Sequence, residues 1–312
     1  MKKVRIGGQA VLEGVMMRNH DKYAIAVRKP DQTIDVKLET YLPLGERIAF
    51  FKLPFIRGIF SFVESMVIGM RTLTYSAEFY EEEGEETVAD KVVQKVFKER
   101  AEAVVTFITV LVAIAIAIGL FMLLPAFLVQ FLGKVISNHY VLAVIEGLVR
   151  MLIFLAYVLL ISQMKDIKRT FMYHGAEHKT INCLESGEEL TPENVLKHSR
   201  YHKRCGTSFI FVVMIISIVV FMFIDTTSTV RRMVYRVLLV PVIAGISYEF
   251  IMLAGRSDSK LMNTLSKPGM WVQRLTTKEP DYSMAEVAIA SVEAVLDWRA
   301  YLDAMKRGQL EK

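Results

Sequence analysis

The chain has 312 residues, 53% of them hydrophobic, and a mean hydropathy of +0.35. That excludes an ordinary soluble domain of this size, whose core polar surface must cover, so the excess apolar mass calls for lipid. The formal charge of +5 lies in segments beside the apolar runs, without a helix-turn-helix or RNA-binding signature, which makes the lipid bilayer the expected partner and nucleic acid not.

From the N-terminus, Met1-Lys2-Lys3 is followed by a stretch broken by Arg5, Gln9 and Glu13, so a signal-peptide core is not expected and insertion relies on internal spans. Gly7-Gly8 and Gly14 permit close backbone approach, but no phosphate-loop lysine follows and nucleotide binding is weakly supported. Tyr23 to Thr40 predicts a β-hairpin: Ile34, Val36 and Leu38 alternate with Asp35, Lys37 and Glu39, and Lys29-Pro30-Asp31-Gln32 suits a turn with proline second. Residues 1–50 are read as a small cytoplasmic β unit. Residues 51–100 hold an amphipathic or re-entrant helix and an acidic linker that includes Glu81, Glu82, Glu83 and Glu86. On that helix Arg57, Glu64, Arg71 and Glu78 recur with alternating sign and form one narrow polar stripe, so it lies in the membrane interface, re-enters the bundle or forms a fifth span.

Residues 101–255 predict about four transmembrane helices. The runs are 110–124 with Pro125 beyond it, 141–162, 206–224, and 237–255 with Pro241. The second run carries Glu146 and Arg150 on one helical face and the fourth carries Glu249; charge inside a span is a functional hypothesis by default, set against an ion-pair cluster that only fixes helix packing. Lys165, Lys168, Arg169, Lys179, Lys197, Arg200, Lys203 and Arg204 fall between the second and third runs, which places that segment and both termini in the cytoplasm, although Arg231, Arg232 and Arg236 oppose this. Residues 256–312 form a cytoplasmic tail with Trp271 as an interfacial anchor, a Ser283 to Glu286 capping box and an amphipathic helix over 287–302. The fold class is therefore mainly α, a polytopic membrane helix bundle with a small N-terminal β-hairpin unit.

The chemistry concentrates in a cytoplasmic hairpin over 164–207. It holds four of the six histidines and both cysteines, Cys183 and Cys205, which are too few for a disulfide framework. His174-Gly175-Ala176-Glu177-His178 has the H-x-x-E-H form, which on a helix points both imidazoles one way, with Glu177 placed as general base for a water that the cation activates. A second helix is expected from Thr191 as cap to about Arg204, aligning His198, His202 and Cys205. Asn182 and Glu185 extend the first face, so Glu185 is a sixth candidate ligand. These nitrogen, sulfur and oxygen donors suit a divalent borderline metal such as zinc. A structural polar network and pH sensing by clustered imidazoles remain alternatives.

GGQAVLEGVMMR (7–18), YHGAEHK (173–179), RCGT (204–207), GISYE (245–249) and PGMWVQRLTTKEP (268–280) together resemble the YqhQ-like family of bacterial membrane proteins. The resemblance spans nearly the whole chain. It implies a bacterial cytoplasmic-membrane setting, a metal-dependent enzyme, and one site shared by the separated motifs. The first functional expectation is thus a membrane metal-dependent hydrolase; the alternative is a non-catalytic assembly factor or transporter with a structural metal or polar network.

Overall fold

The computed structural model describes residues 6–43, 48–80, 100–224, 228–255 and 259–309. The acidic run at 81–86 lies outside them. The chain divides into a larger unit (1–80, 158–217 and 226–312) and a smaller one (81–157 and 218–225).

In the larger unit, β1 (Gly7–Val11), β2 (Gly14–Asn19), β3 (Lys22–Arg28) and β4 (Ile34–Thr40) form an antiparallel sheet in sequence order. The expected hairpin is β3–β4: Gln32 N–H donates to Lys29 O at 2.9 Å, and Gln32 takes the left-handed φ of 68° that closes the turn. The hairpin β1–β2 was not expected. Its strands hide because β2 is buried on both faces, so Val15-Met16-Met17 lacks the alternation of a half-buried strand.

Val15, Met17, Ala24 and Ala26 pack on one face against α5 (Lys165–Glu185) and α10 (Tyr282–Val295). Ser291 of α10 stitches this layer, accepting from Met17 N–H and donating to Ala24 O, both at 2.9 Å. The other face buries Met16, Tyr23, Ile25 and Val27 against α1 (Ile56–Glu78). The polar stripe of α1 faces protein: Arg57 Nε donates to Glu249 Oε1 at 2.7 Å, Glu64 is an electrostatic partner of Arg18, and Arg71 of Glu39. Its opposite face exposes Phe62, Val63, Met66, Val67 and Met70.

The smaller unit holds α2 (Arg100–Ile118), a π-helical turn at Gly119–Leu123, α3 (Leu124–Gln130), and most of α4 (His139–Ile161). The wider turn just ahead of Pro125 accommodates the amide donor that proline lacks, so the apolar helix continues through it. Phe121 meets Phe154 and Tyr157 edge-on, and Arg150 pairs with Glu146 at 3.1 Å.

Among the described residues, three helices are long and apolar enough to cross a membrane: Phe107–Lys134, His139–Ile161 and Val234–Ala254. The last lies within α8 (Thr229–Ala254). The fourth expected span is α7 (Gly206–Met222), whose 17 residues make it shorter than the other three. At 1.5 Å per residue it measures about 25 Å, short of a ~30 Å hydrocarbon core.

Two other expectations are corrected. α6 is Pro192–Lys197 and stops well before Arg204. Its continuation is dismantled by α5, whose side chains take the carbonyls a longer helix would need: Lys179 Nζ donates to Leu196 O, His178 Nδ1 to Arg200 O, and Asn182 Nδ2 to Ser199 O and Tyr201 O. The C-terminal helix is two, α10 and α11 (Trp298–Lys306), since Leu296 is extended and Asp297 caps a new start. Asp281, not Ser283, caps α10. Between α8 and α10, α9 (Lys260–Thr276) keeps Pro268 in its interior and exposes Trp271.

Candidate metal centre

All the side chains around H-x-x-E-H belong to the larger unit. From Tyr173 to Leu184 nearly every residue of α5 is buried, polar ones included, so each polar group must find a partner. Lys179 has Leu196 O at 2.8 Å and Glu279 Oε2 at 2.9 Å. The stretch 276–279 lies directly along the helix: Lys278 N–H donates to Phe171 O at 2.8 Å, and Gly175 is bare because a Cβ would collide with Lys278 O. Gly175→Ala must therefore push two backbones apart. We expect a loss of about 1–3 kcal/mol, read as a lower midpoint of thermal unfolding in detergent, with an unchanged midpoint as the contrary result.

The two imidazoles are fixed by backbone carbonyls. Thr276 O lies 2.9 Å from His174 Nδ1, and Arg200 O lies 2.7 Å from His178 Nδ1. A carbonyl only accepts, so Nδ1 carries a proton in both rings, and in the neutral tautomer that a metal ligand requires the lone pair is on Nε2. Outer hydrogen bonds of this kind hold metal-ligating histidines in one tautomer and one orientation. Cys205, directly ahead of α7, completes the group. Its Sγ is 3.3 Å from His174 Nε2 and accepts from Thr207 N–H at 3.3 Å. One donor atom from each of His174, His178 and Cys205 lies within 4.8 Å of the other two.

The remaining expected ligands separate. His202 stays close, its ring centroid 5.8 Å from that of His178, but its Nε2 turns to Glu185 Oε2 at 3.3 Å. Glu185 is also paired with Arg204. Burial alone would raise the Glu185 carboxyl, yet the His202 hydrogen bond and the Arg204 charge hold it at about 2. A depressed folded value means the pair stabilises above the unfolded value near 4.5 and that this contribution is lost as pH falls from there toward 2. Glu185→Gln should flatten the acid limb of the melting-temperature profile in that window, and an unaltered limb would contradict the pairing. His198 leaves the set altogether, because α6 ends at Lys197, and it meets Glu188 and Cys183 instead. Burial pushes the Cys183 thiol up to about 12, so without a cation it is protonated and unreactive.

Glu177 is buried with one oxygen 4.0 Å from His174 Nε2. Burial pushes its carboxyl up to about 7, against the opposing pull of His174. Its side chain rests on Gly8 of β1, where a Cβ would come within 2.7 Å of Glu177 Cγ. That contact gives the N-terminal glycine pair a place at the site that its own sequence did not suggest.

Gln273 was also missed. Fully buried, it brackets His202, accepting from its N–H at 2.9 Å and donating to its carbonyl at 2.7 Å, and it reaches Ser208 Oγ at 2.8 Å. The available signal was a glutamine in the otherwise compact motif at 268–280.

The charges expected in spans are each matched within their own unit. Glu249 accepts from Arg57 and from Phe55 N–H, and Glu146 pairs with Arg150.

The family described as protein of unknown function (DUF1385) matches residues 53–298, a range that contains every candidate ligand. The Bacillus subtilis (strain 168) protein named "Uncharacterized protein YqhQ" is similar to this chain, 36% identical over 296 residues that cover 93% of this chain and 92% of that protein. No solved structure matches.

Proposed function

The chain belongs to the DUF1385 family, and from that premise we propose that it is a multi-pass protein of the bacterial cytoplasmic membrane that works as a metal-dependent hydrolase. His174, His178 and Cys205 would hold a divalent cation, zinc by the chemistry of the donors. The observation that carries this reading is the convergence of one donor atom from each of His174, His178 and Cys205 within 4.8 Å, with both Nδ1 atoms already committed to carbonyls. Three protein donors leave a fourth position open, the pattern of catalytic rather than structural zinc sites.

A cation there would supply a Lewis acid. Glu177 would take a proton from the attacking water and return it to the leaving group, a role suited to a carboxyl held near neutrality. The backbone carbonyls of Thr276 and Arg200 keep the imidazoles aimed. Burial of Glu177, His178 and Cys205 limits bulk water. Glu185, His202 and Gln273 position the 198–205 segment rather than touch a substrate.

Lipid contact is supported by the three long apolar helices and by the exposed apolar face of α1, whose stripe is turned to protein and which would lie in the interface. The basic segment 165–204 favours a cytoplasmic position for the site and for both termini.

A second reading, a non-catalytic protein with a metal tie between α5 and the 198–205 segment, is favoured by one observation, the near-complete burial of His178. Purified protein assayed on ester, amide and phosphoester substrates separates the two. Hydrolysis of one class, abolished by chelation and restored by zinc, is expected; turnover indifferent to chelator would contradict a metal-dependent reaction.

A further inference from the structure

We propose that Cys183, Glu188 and His198 form a second, separate site for a divalent borderline cation, built at the C-terminal end of α5 and structural in role. The donors arrive from three stretches of chain. Cys183 is on the last turns of α5. Gly187, with φ of +80°, reverses the chain so that Glu188 N–H donates to Cys183 O at 3.3 Å, which brings the Glu188 side chain under the helix end. His198 is delivered by the abrupt stop of α6.

One donor atom from each residue lies within 4.8 Å of the other two. His198 Nε2 is buried and makes no hydrogen bond; Glu188 Oε2 stands 3.4 Å from it, outside hydrogen-bond geometry. A buried imidazole nitrogen with no hydrogen bond is costly unless something else occupies its lone pair. Cys183 Sγ faces the same space, with Glu189 O at 3.6 Å and Glu188 O at 4.0 Å. Glu188 is half-exposed and gives a cation its way in.

Charge distinguishes this group from the His174 set. A thiolate, a carboxylate and a neutral imidazole cancel a divalent cation, and a compensated ion tolerates burial. Two imidazoles and one thiolate leave a net positive centre that still attracts an anionic or polarisable fourth group. On binding, the Cys183 thiol gives its proton to solvent and nothing is oxidised or reduced. The cation would bind the ends of α5 and α6 together and hold in place the segment that carries His202 and Cys205.

The test titrates cobalt(II) into chelator-stripped full-length protein in detergent and follows the thiolate-to-cobalt absorption band in wild type, Cys183→Ser, Cys205→Ser, His198→Ala and Glu188→Gln. Wild type should take up about two equivalents per chain, and each variant about one. Cys205→Ser should keep a thiolate band that the Cys183 site explains. The proposal is overturned if Cys183→Ser, His198→Ala and Glu188→Gln bind as much as wild type, or if Cys205→Ser shows no band. A band that survives in Cys183→Ser but not in Cys205→Ser leaves only the His174 centre standing; the converse leaves only the new one. Glu188 is half-exposed and outside the hydrophobic core, so its variant reads ligation alone, whereas Cys183→Ser also alters the core.

Discussion

Replacing Glu177 with glutamine is expected to lower turnover by about 10²–10⁴-fold while metal content stays at the wild-type level. The amide keeps the shape and burial of the carboxyl and its seat on Gly8, so His174 and His178 stay where they are. What it loses is the ability to exchange a proton. In the metal-free chain burial raises the acid to about 7, and a bound cation would pull it back towards the carboxylate, the form that accepts a proton from water. Turnover and metal per chain measured on the same preparation decide the matter. Equal turnover in wild type and variant would remove Glu177 from the chemistry.

Removing the metal is the second large perturbation. A ligand that binds only the folded chain stabilises it by about 4 kcal/mol when its free concentration is a thousand times Kd. Chelation should therefore lower the thermal midpoint by several degrees. The helices should survive at low temperature, because without a cation His178 and Asn182 still tie α5 to the carbonyls of 199–201, Lys179 ties it to Leu196 O, His174 ties it to Thr276 O, and Gln273 ties α9 to His202. In His174→Ala the chelator effect should shrink, and what remains measures the Cys183 group. Identical melting of stripped and zinc-loaded wild type would contradict both centres.

The apolar runs were legible because uninterrupted hydrophobic length reports directly on long apolar helices; the shortfall of α7 is a matter of a few residues. The β3–β4 hairpin was legible from the alternation in β4 and the Lys29–Gln32 turn, although the apolar positions Val36 and Leu38 turn out to be exposed. β1 and β2 were not: β2 is buried on both sides and shows no period, and β1 opens on two exposed glycines that carry no side chain to alternate. The pairing of His174 with His178 followed from helical spacing alone. Cys205 joins them for a different reason from the one its spacing suggested. It was expected on a helix with His198 and His202, and that helix does not form, because the carbonyls of Ser199, Arg200 and Tyr201 are claimed by α5. Side-chain hydrogen bonds across some twenty positions of sequence overrode local propensity, which no window of sequence contains. For the same reason His198 was assigned to the wrong neighbours, and Gly8, Gln273 and Thr276 were passed over. Their contribution is a contact or a carbonyl supplied from the far ends of the chain.

The most direct test is metal per chain, by elemental analysis of detergent-purified wild type beside His174→Ala and Cys205→Ser. Both variants should contain about one equivalent less than wild type, as loss of one shared three-ligand site requires. Wild-type metal content in either variant, or no stoichiometric metal in the wild type, would contradict the centre.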